Sequence, residues 1–179
     1  MNKTYEDATN LLNRYLQKEN LKKHCYAVES AMAAYAPSEE LEKWKMVGLI
    51  HDFDYENFPD NHPAKGAEIL KEEGWPEEIV RAILSHANYS GVKRESLLEK
   101  TLFAVDELTG FIVACALVRP DHLATLEPKD VIKKMKNVTF AAKVSREDIK
   151  SGAEELGATL ESHIKTVITA MKADSRLGL

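Results

Sequence analysis

An all-α fold is predicted by three features of this sequence. Apolar residues recur at helical spacing through most of the chain, the gaps between these stretches carry helix start and stop residues, and the spacing of the Pro and Gly breaks suits a bundle. Tyr5 to Gln17 and Leu21 to Tyr35 read as the first two helices, the second with Leu21, Cys25, Val28 and Met32 on one stripe. Pro37 breaks the pattern, and Ser38 reads as the N-cap of a third helix, from Glu39 to about His51, with Trp44, Val47 and His51 on one face. Phe53 to Asn61 reads as a loop. Pro63 opens a fourth helix that Gly74 closes, and Pro76 opens a fifth that ends near His86. After a loop from Ala87 to Glu95, Ser96 caps the longest and most apolar helix, which runs to Val118 and is expected at the centre. A short helix follows from Pro128 to Met135. Ser145 with Asp148 resembles a capping box before a helix ending near Gly157, and a last helix covers about Thr159 to Lys172. Val138 to Val144 reads equally as strand or helix.

At 179 residues the chain suits one domain with one core. Its 24 Lys+Arg against 29 Asp+Glu give a net charge of -5, which disfavours duplex nucleic acid and anionic membrane as partners. Cys25 and Cys115 form no CxxC pair, so neither a disulfide scaffold nor a zinc ribbon is expected, and reducing cytosol is the expected compartment. The first twenty residues are polar and helix-like, and no apolar run approaches membrane-spanning length, so neither export nor insertion is expected.

The chemistry is announced by the residues that interrupt the apolar stripes. His24 lies between Leu21 and Val28, His51 follows Trp44 and Val47, and His86 follows Ile79 and Ile83, so each imidazole is expected to point inward. Asp106 follows Leu98 and Leu102 on the face of the most hydrophobic helix. A buried carboxylate needs a cation or a hydrogen-bonded partner, and several inward histidines and carboxylates without matching Lys or Arg point to metal. Neighbouring helical residues diverge by about 100 degrees, so His51 and Asp52 can serve one ion only where the helix ends. The loop after Asp52 allows this.

The order His24, His51-Asp52, Asp106 within a helical chain resembles the HD-domain superfamily of metal-dependent phosphohydrolases over roughly residues 20 to 125. That leaves about residues 126 to 179 as a helical cover packed on the bundle. His62 in HPAKGA and His86 in LSHANYSG extend the resemblance to the dinuclear branch, which includes HD-GYP phosphodiesterases and a diadenosine tetraphosphate hydrolase family with a similar HPxxGA-like segment. DELTGFIVACALVRP is similar to small HDIG-type proteins. The chain departs from the family in reading Phe53-Asp54-Tyr55 where Ile-Gly-Lys is common, and it lacks the HHE and GYP signatures, which argues against cyclic-di-GMP hydrolysis. The resemblance implies that His24, His51, Asp52 and Asp106 bind one divalent metal, with Asp52 bridging to a second held by His62 and His86. Mn, Fe, Co, Ni or Zn suit such ligands. It also implies hydrolysis of a nucleotide or other small phosphate ester by metal-activated water, with Asp52 central to catalysis. Two alternatives stay open: a mononuclear 5'-nucleotidase-like enzyme using Asp54 or Glu56 to position water, and a nucleotide-binding regulatory module with a structural metal.

Lys65 and Arg119 are the preferred candidates for substrate phosphate, ahead of Lys93 and Arg94, because they flank the presumed ligands. Asp54, Glu56 and Asp60 read chiefly as solvated loop carboxylates. Glu107 is expected off the ligand face, His122 and His163 near the surface, and both cysteines as small core residues. An exposed apolar face on the helices after Pro128 would permit a homodimer.

Overall fold

The computed structural model describes residues 3–179, which form nine α-helices and no strand. These are α1 (Tyr5–Tyr15), α2 (Glu19–Tyr35), α3 (Leu41–Ile50), α4 (Ala64–Glu72), α5 (Glu77–Ser85), α6 (Leu97–Leu117), α7 (Pro128–Met135), α8 (Arg146–Glu155) and α9 (Leu160–Lys172). Helix α2 is the hub: α3, α6 and α9 pack on it, α1 packs on α3, α4 pairs with α5, α5 and α8 lie on α6, and α7 lies on α9. One continuous set of buried side chains runs from Ala8 to Leu177, so the C-terminal helices share the core with the rest of the bundle. Among the described residues no helix is long and apolar enough to cross a membrane.

Local chemistry sets the ends that matter for the site. Ser96 accepts the Glu99 N–H while Glu99 returns a bond to the Ser96 backbone, a full capping box that fixes the start of α6 and so the height of Asp106. Gly48 lets α3 and α2 meet: a Cβ there would stand 2.7 Å from the Cα of Glu29. That close approach brings the end of α3, with His51, beside His24 of α2.

Several expectations shift. Helix α1 ends at Tyr15, two residues early, because the Gln17 and Lys18 N–H groups are held by the Glu56 carboxylate as the chain turns into α2. Ser38 makes no cap bond; a 3₁₀ turn spans Ser38–Glu40 and α3 starts at Leu41. Ser145 caps α8, but Asp148 gives no return bond, its carboxylate accepting instead from Asn88 Nδ2 at 2.9 Å. Val138–Val144 is neither strand nor helix but a run of turns. His163 is fully buried, not superficial. Its Nε2 donates to the Ala104 carbonyl and its Nδ1 meets the Tyr35 hydroxyl. The exposed apolar face expected after Pro128 is absent, since Val131, Ile149, Ile164, Val167 and Met171 all enter the chain's own core.

Candidate metal centre

The structure brings His24, His51, Asp52, His62, His86 and Asp106 together. Helix α2 carries His24 and α6 carries Asp106, while His86 follows the last turn of α5. His51 is the C-cap residue of α3 with Asp52 in the turn beyond, so the helix terminates where the adjacent pair needs it to. His62 ends the following loop, one residue before the N-cap of α4.

Two triads result, His24–His51–Asp106 and Asp52–His62–His86, each with its donor atoms within 4.8 Å of one another. In the first, His24 Nε2 lies 2.9 Å from Asp106 Oδ1 and 3.3 Å from His51 Nε2. In the second, the His62 and His86 Nε2 atoms are 3.2 Å apart. Asp52 stands between the two: Oδ1 is 3.4 Å from His51 Nε2 and 3.2 Å from His62 Nε2, and Oδ2 is 3.7 Å from His24 Nε2.

The ring orientations decide what these atoms can hold. His51 Nδ1 faces the Gly48 carbonyl and His86 Nδ1 the Ile83 carbonyl. A carbonyl only accepts, so Nδ1–H is the donor in both rings and Nε2 of the neutral ring is left as a lone pair. His62 Nδ1 likewise donates to Asp54 Oδ1 at 2.7 Å. Three imidazoles thus direct unprotonated nitrogens into the two triads, His62 and His86 towards each other, an arrangement that calls for positive charge there. Divalent cations with mixed imidazole and carboxylate preference fit that donor set.

Electrostatics agree with this demand. Burial disfavours the charged form of His51, yet Asp52 and Asp106 outweigh it and push the imidazole well above its ordinary value. Burial likewise opposes ionisation of Asp52 and Asp106, but His51 and His24 hold both carboxyls well below the usual range.

Asp54 corrects the expectation of a solvated loop carboxylate or a water-positioning group. It is fully buried, one oxygen on His62 and the other accepting the Gly66 N–H at 2.7 Å. A Cβ on Gly66 would meet the Asp54 carboxyl at 2.9 Å, so the glycine lets the α4 backbone close on that carboxylate. Glu56 is equally unavailable to water chemistry, being spent on the Gln17 and Lys18 amides, and Asp60 is exposed.

The triads open into a cavity of about 360 Å³, lined also by Tyr55, Tyr89, Phe103, Glu107, Lys143 and Asp148. Lys65 and Arg119 are not among its lining residues. Lys65 pairs with Glu68 on the surface of α4 at 2.9 Å, and Arg119 is engaged by Thr125, Asp121 and Asp130. Arg94 is a strut, lying 3.6 Å from the Phe103 ring centroid and bound to Glu155 and the Ser85 carbonyl. Glu107, expected off the ligand face, reaches the cavity and accepts the Ser145 N–H at 2.9 Å; burial, then the Asp106 carboxylate beside it, raise its pKa. Sequence reasoning missed Lys143, which sits in an irregular segment with no periodicity to orient it. Asp54 was visible as a carboxylate eight residues before His62, but its burial was not.

A family model described as HD domain matches residues 21–110, half of the chain, and that span contains all six converging residues. Comparisons with curated proteins and with solved structures returned no match.

Proposed function

The chain belongs to the HD-domain family, and from that membership together with its converging imidazoles we propose that it is a metal-dependent phosphohydrolase acting on a small phosphate ester such as a nucleotide. The observation that carries this reading is the fixed tautomer of His51, His62 and His86, each presenting an Nε2 lone pair to a shared space. His24, His51 and Asp106 would hold one divalent cation, His62 and His86 a second, with Asp52 shared by both. Bound there, such cations supply acidification of water and neutralisation of phosphoryl charge.

The protein's own contribution is preorganisation. Asp54 and the Gly48 and Ile83 carbonyls keep protons on Nδ1, so each ring is already oriented with Nε2 inward. Asp52 presents both oxygens inward from a turn that no longer follows helical divergence. Tyr55, Tyr89 and Phe103 offer apolar and aromatic surface to the organic part of a substrate, in a cavity at the small end of the roughly 300–1,000 Å³ common for ligand sites.

Elemental mass spectrometry on protein purified without added metal or chelator tests the centre, followed by phosphate release from p-nitrophenyl phosphate and nucleoside monophosphates with Mn or Fe. About two metals per chain with turnover supports the dinuclear reading. About one favours a mononuclear enzyme, and none after reconstitution leaves a binding module as the better account.

A further inference from the structure

We propose that Lys143, presented by the loop between α7 and α8, is the residue that pairs with the phosphoryl group of the substrate in the cavity that the candidate metal ligands also line. This rests on the phosphohydrolase reading above and adds to it a residue outside the span that matches the family. Lys143 is the only lysine or arginine among the residues lining the cavity, and no ion-pair partner for it exists among the described residues. Beyond the candidate metal ligands, the other charged residues lining the cavity are carboxylates, Glu107 and Asp148. A wall with one ammonium and two carboxylates suits one anionic group held at Lys143 and repels a chain of further phosphates.

The loop that carries Lys143 is built to stay in place. Arg146, at the start of α8, donates to the carbonyls of Ala141 (2.6 Å), Val144 (2.7 Å), Asn137 (3.3 Å) and Phe140, so one guanidinium gathers the loop from end to end. That guanidinium lies 4.7 Å from the ring centroid of buried Phe111, against which Phe140 also packs edge-on. Ala141 occupies the left-handed region at φ 44, unfavourable for a residue with a Cβ and sustained only where surroundings over-determine the backbone. Glu107, adjacent to Asp106 on α6, accepts the Ser145 N–H and ties the loop to the helix that bears a metal ligand. The backbone that carries Lys143 is therefore registered to the candidate metal centre through Asp106 and Glu107, and its exposed side chain extends from that fixed loop. Glu107 and Arg146 act as positioning residues.

The test is calorimetric titration of Mn-loaded protein with inorganic phosphate, with metal content measured on every sample, alongside turnover of p-nitrophenyl phosphate. Wild-type protein is expected to bind about one phosphate per chain, Lys143→Gln to bind it about tenfold more weakly with metal content unchanged, and Lys143→Arg to recover most of the loss. In turnover the same Gln variant raises KM with kcat nearly unchanged, whereas a variant that disturbs the metal centre lowers kcat. Arg146→Met, which releases the loop but keeps the lysine, should weaken phosphate binding in the same direction. Unaltered phosphate affinity in Lys143→Gln, in a preparation whose wild type binds and turns over, overturns the lysine assignment alone. Loss of metal from that variant, or two phosphates per chain in the wild type, also overturns it. A metal-loaded wild type that neither binds phosphate nor hydrolyses any ester overturns the phosphohydrolase reading and this one with it.

Discussion

The two sides of the cavity are built differently. The ligand side is carried by α2, α6 and the ends of α3 and α5, and its side chains are fixed by buried hydrogen bonds such as His62 to Asp54 and His51 to Gly48. The loop side is an irregular segment from Asn137 to Ser145 that also contributes to the cavity lining, held by one guanidinium and one carboxylate that bind backbone atoms. A helix-borne site is written in residue spacing, because 3.6 residues per turn decide which side chains share a face. A loop-borne site is written in which carbonyls an arginine can reach, and that has no period. On the proposed reading, the ligand side would govern whether metal is held, and the loop side what is held against it.

Breaking the ligand side at its shared member has the largest expected effect. Asp52→Ala removes the carboxylate common to both triads, so metal content should fall at both positions. Turnover should drop by about 10³-fold or more, the scale of several kcal/mol of lost charge stabilisation. Elemental analysis and initial rates on one preparation check this, and turnover retained at wild-type level would refute a metal-dependent mechanism.

Removing metal rather than a ligand separates stability from chemistry. If the folded chain binds metal at free concentrations near a hundred times Kd, chelation should cost about 2.7 kcal/mol, or about 5–10 °C of melting temperature for a chain of this length. Restoration on adding Mn back completes the check by calorimetry. The Lys143→Gln variant should show the same metal-dependent shift as wild type, since its loop lies outside both triads. A smaller shift would mean that the two sides are not separable.

Within the ligand side, the second triad depends on Asp54 and the first does not. Asp54→Ala should weaken metal at His62 and His86 by about 10- to 100-fold, the usual consequence of losing a carboxylate behind a liganding imidazole. Gly66→Ala should act in the same direction by driving a Cβ into that carboxylate. Metal at His24, His51 and Asp106 should be retained, so competitive chelator titrations should resolve one weakened and one normal site. Equal weakening of both would show that Asp52 couples them too tightly to be treated apart.

Much of this was legible in the sequence, and the exceptions have physical reasons. His24, His51, His86 and Asp106 could be placed because each interrupts an apolar stripe of α2, α3, α5 or α6, so burial followed from periodicity. The nine helices were legible for the same reason, with Ser96 and Glu99 fixing the longest. Asp54 and Glu56 were misread as solvent-facing because a polar loop gives no face, and only the fold shows that the first reaches His62 and the second the amides before α2. Lys65 and Arg119 lie close in sequence to the candidate ligands, but neighbouring carboxylates and a threonine already engage them. Lys143 lies 37 residues beyond the last ligand, where proximity in sequence says nothing.

His163 sharpens the comparison at the smallest scale, as a buried histidine of the C-terminal half that holds no metal-facing position. Its Nε2–H donates to the Ala104 carbonyl at 2.9 Å, leaving Nδ1 to accept the Tyr35 hydroxyl at 2.7 Å, so the neutral ring is satisfied on both sides. Burial pushes its pKa below the ordinary 6.5, against a small opposing pull from the Ala104 carbonyl. The folded protein therefore takes up this proton at lower pH than the unfolded chain. The stability it contributes is complete above about pH 6.5 and is lost as pH falls through the depressed value. His163→Gln cannot titrate. With its two hydrogen bonds impaired it should be less stable than wild type by about 1 kcal/mol at pH 7.5, and the gap should narrow towards pH 5. Urea denaturation of both proteins across that range, under one metal condition, reads the difference directly, because acid effects on the metal ligands are common to the pair. A gap that stays constant with pH would mean that His163 carries no proton linkage, and that acid sensitivity belongs to the ligand side alone.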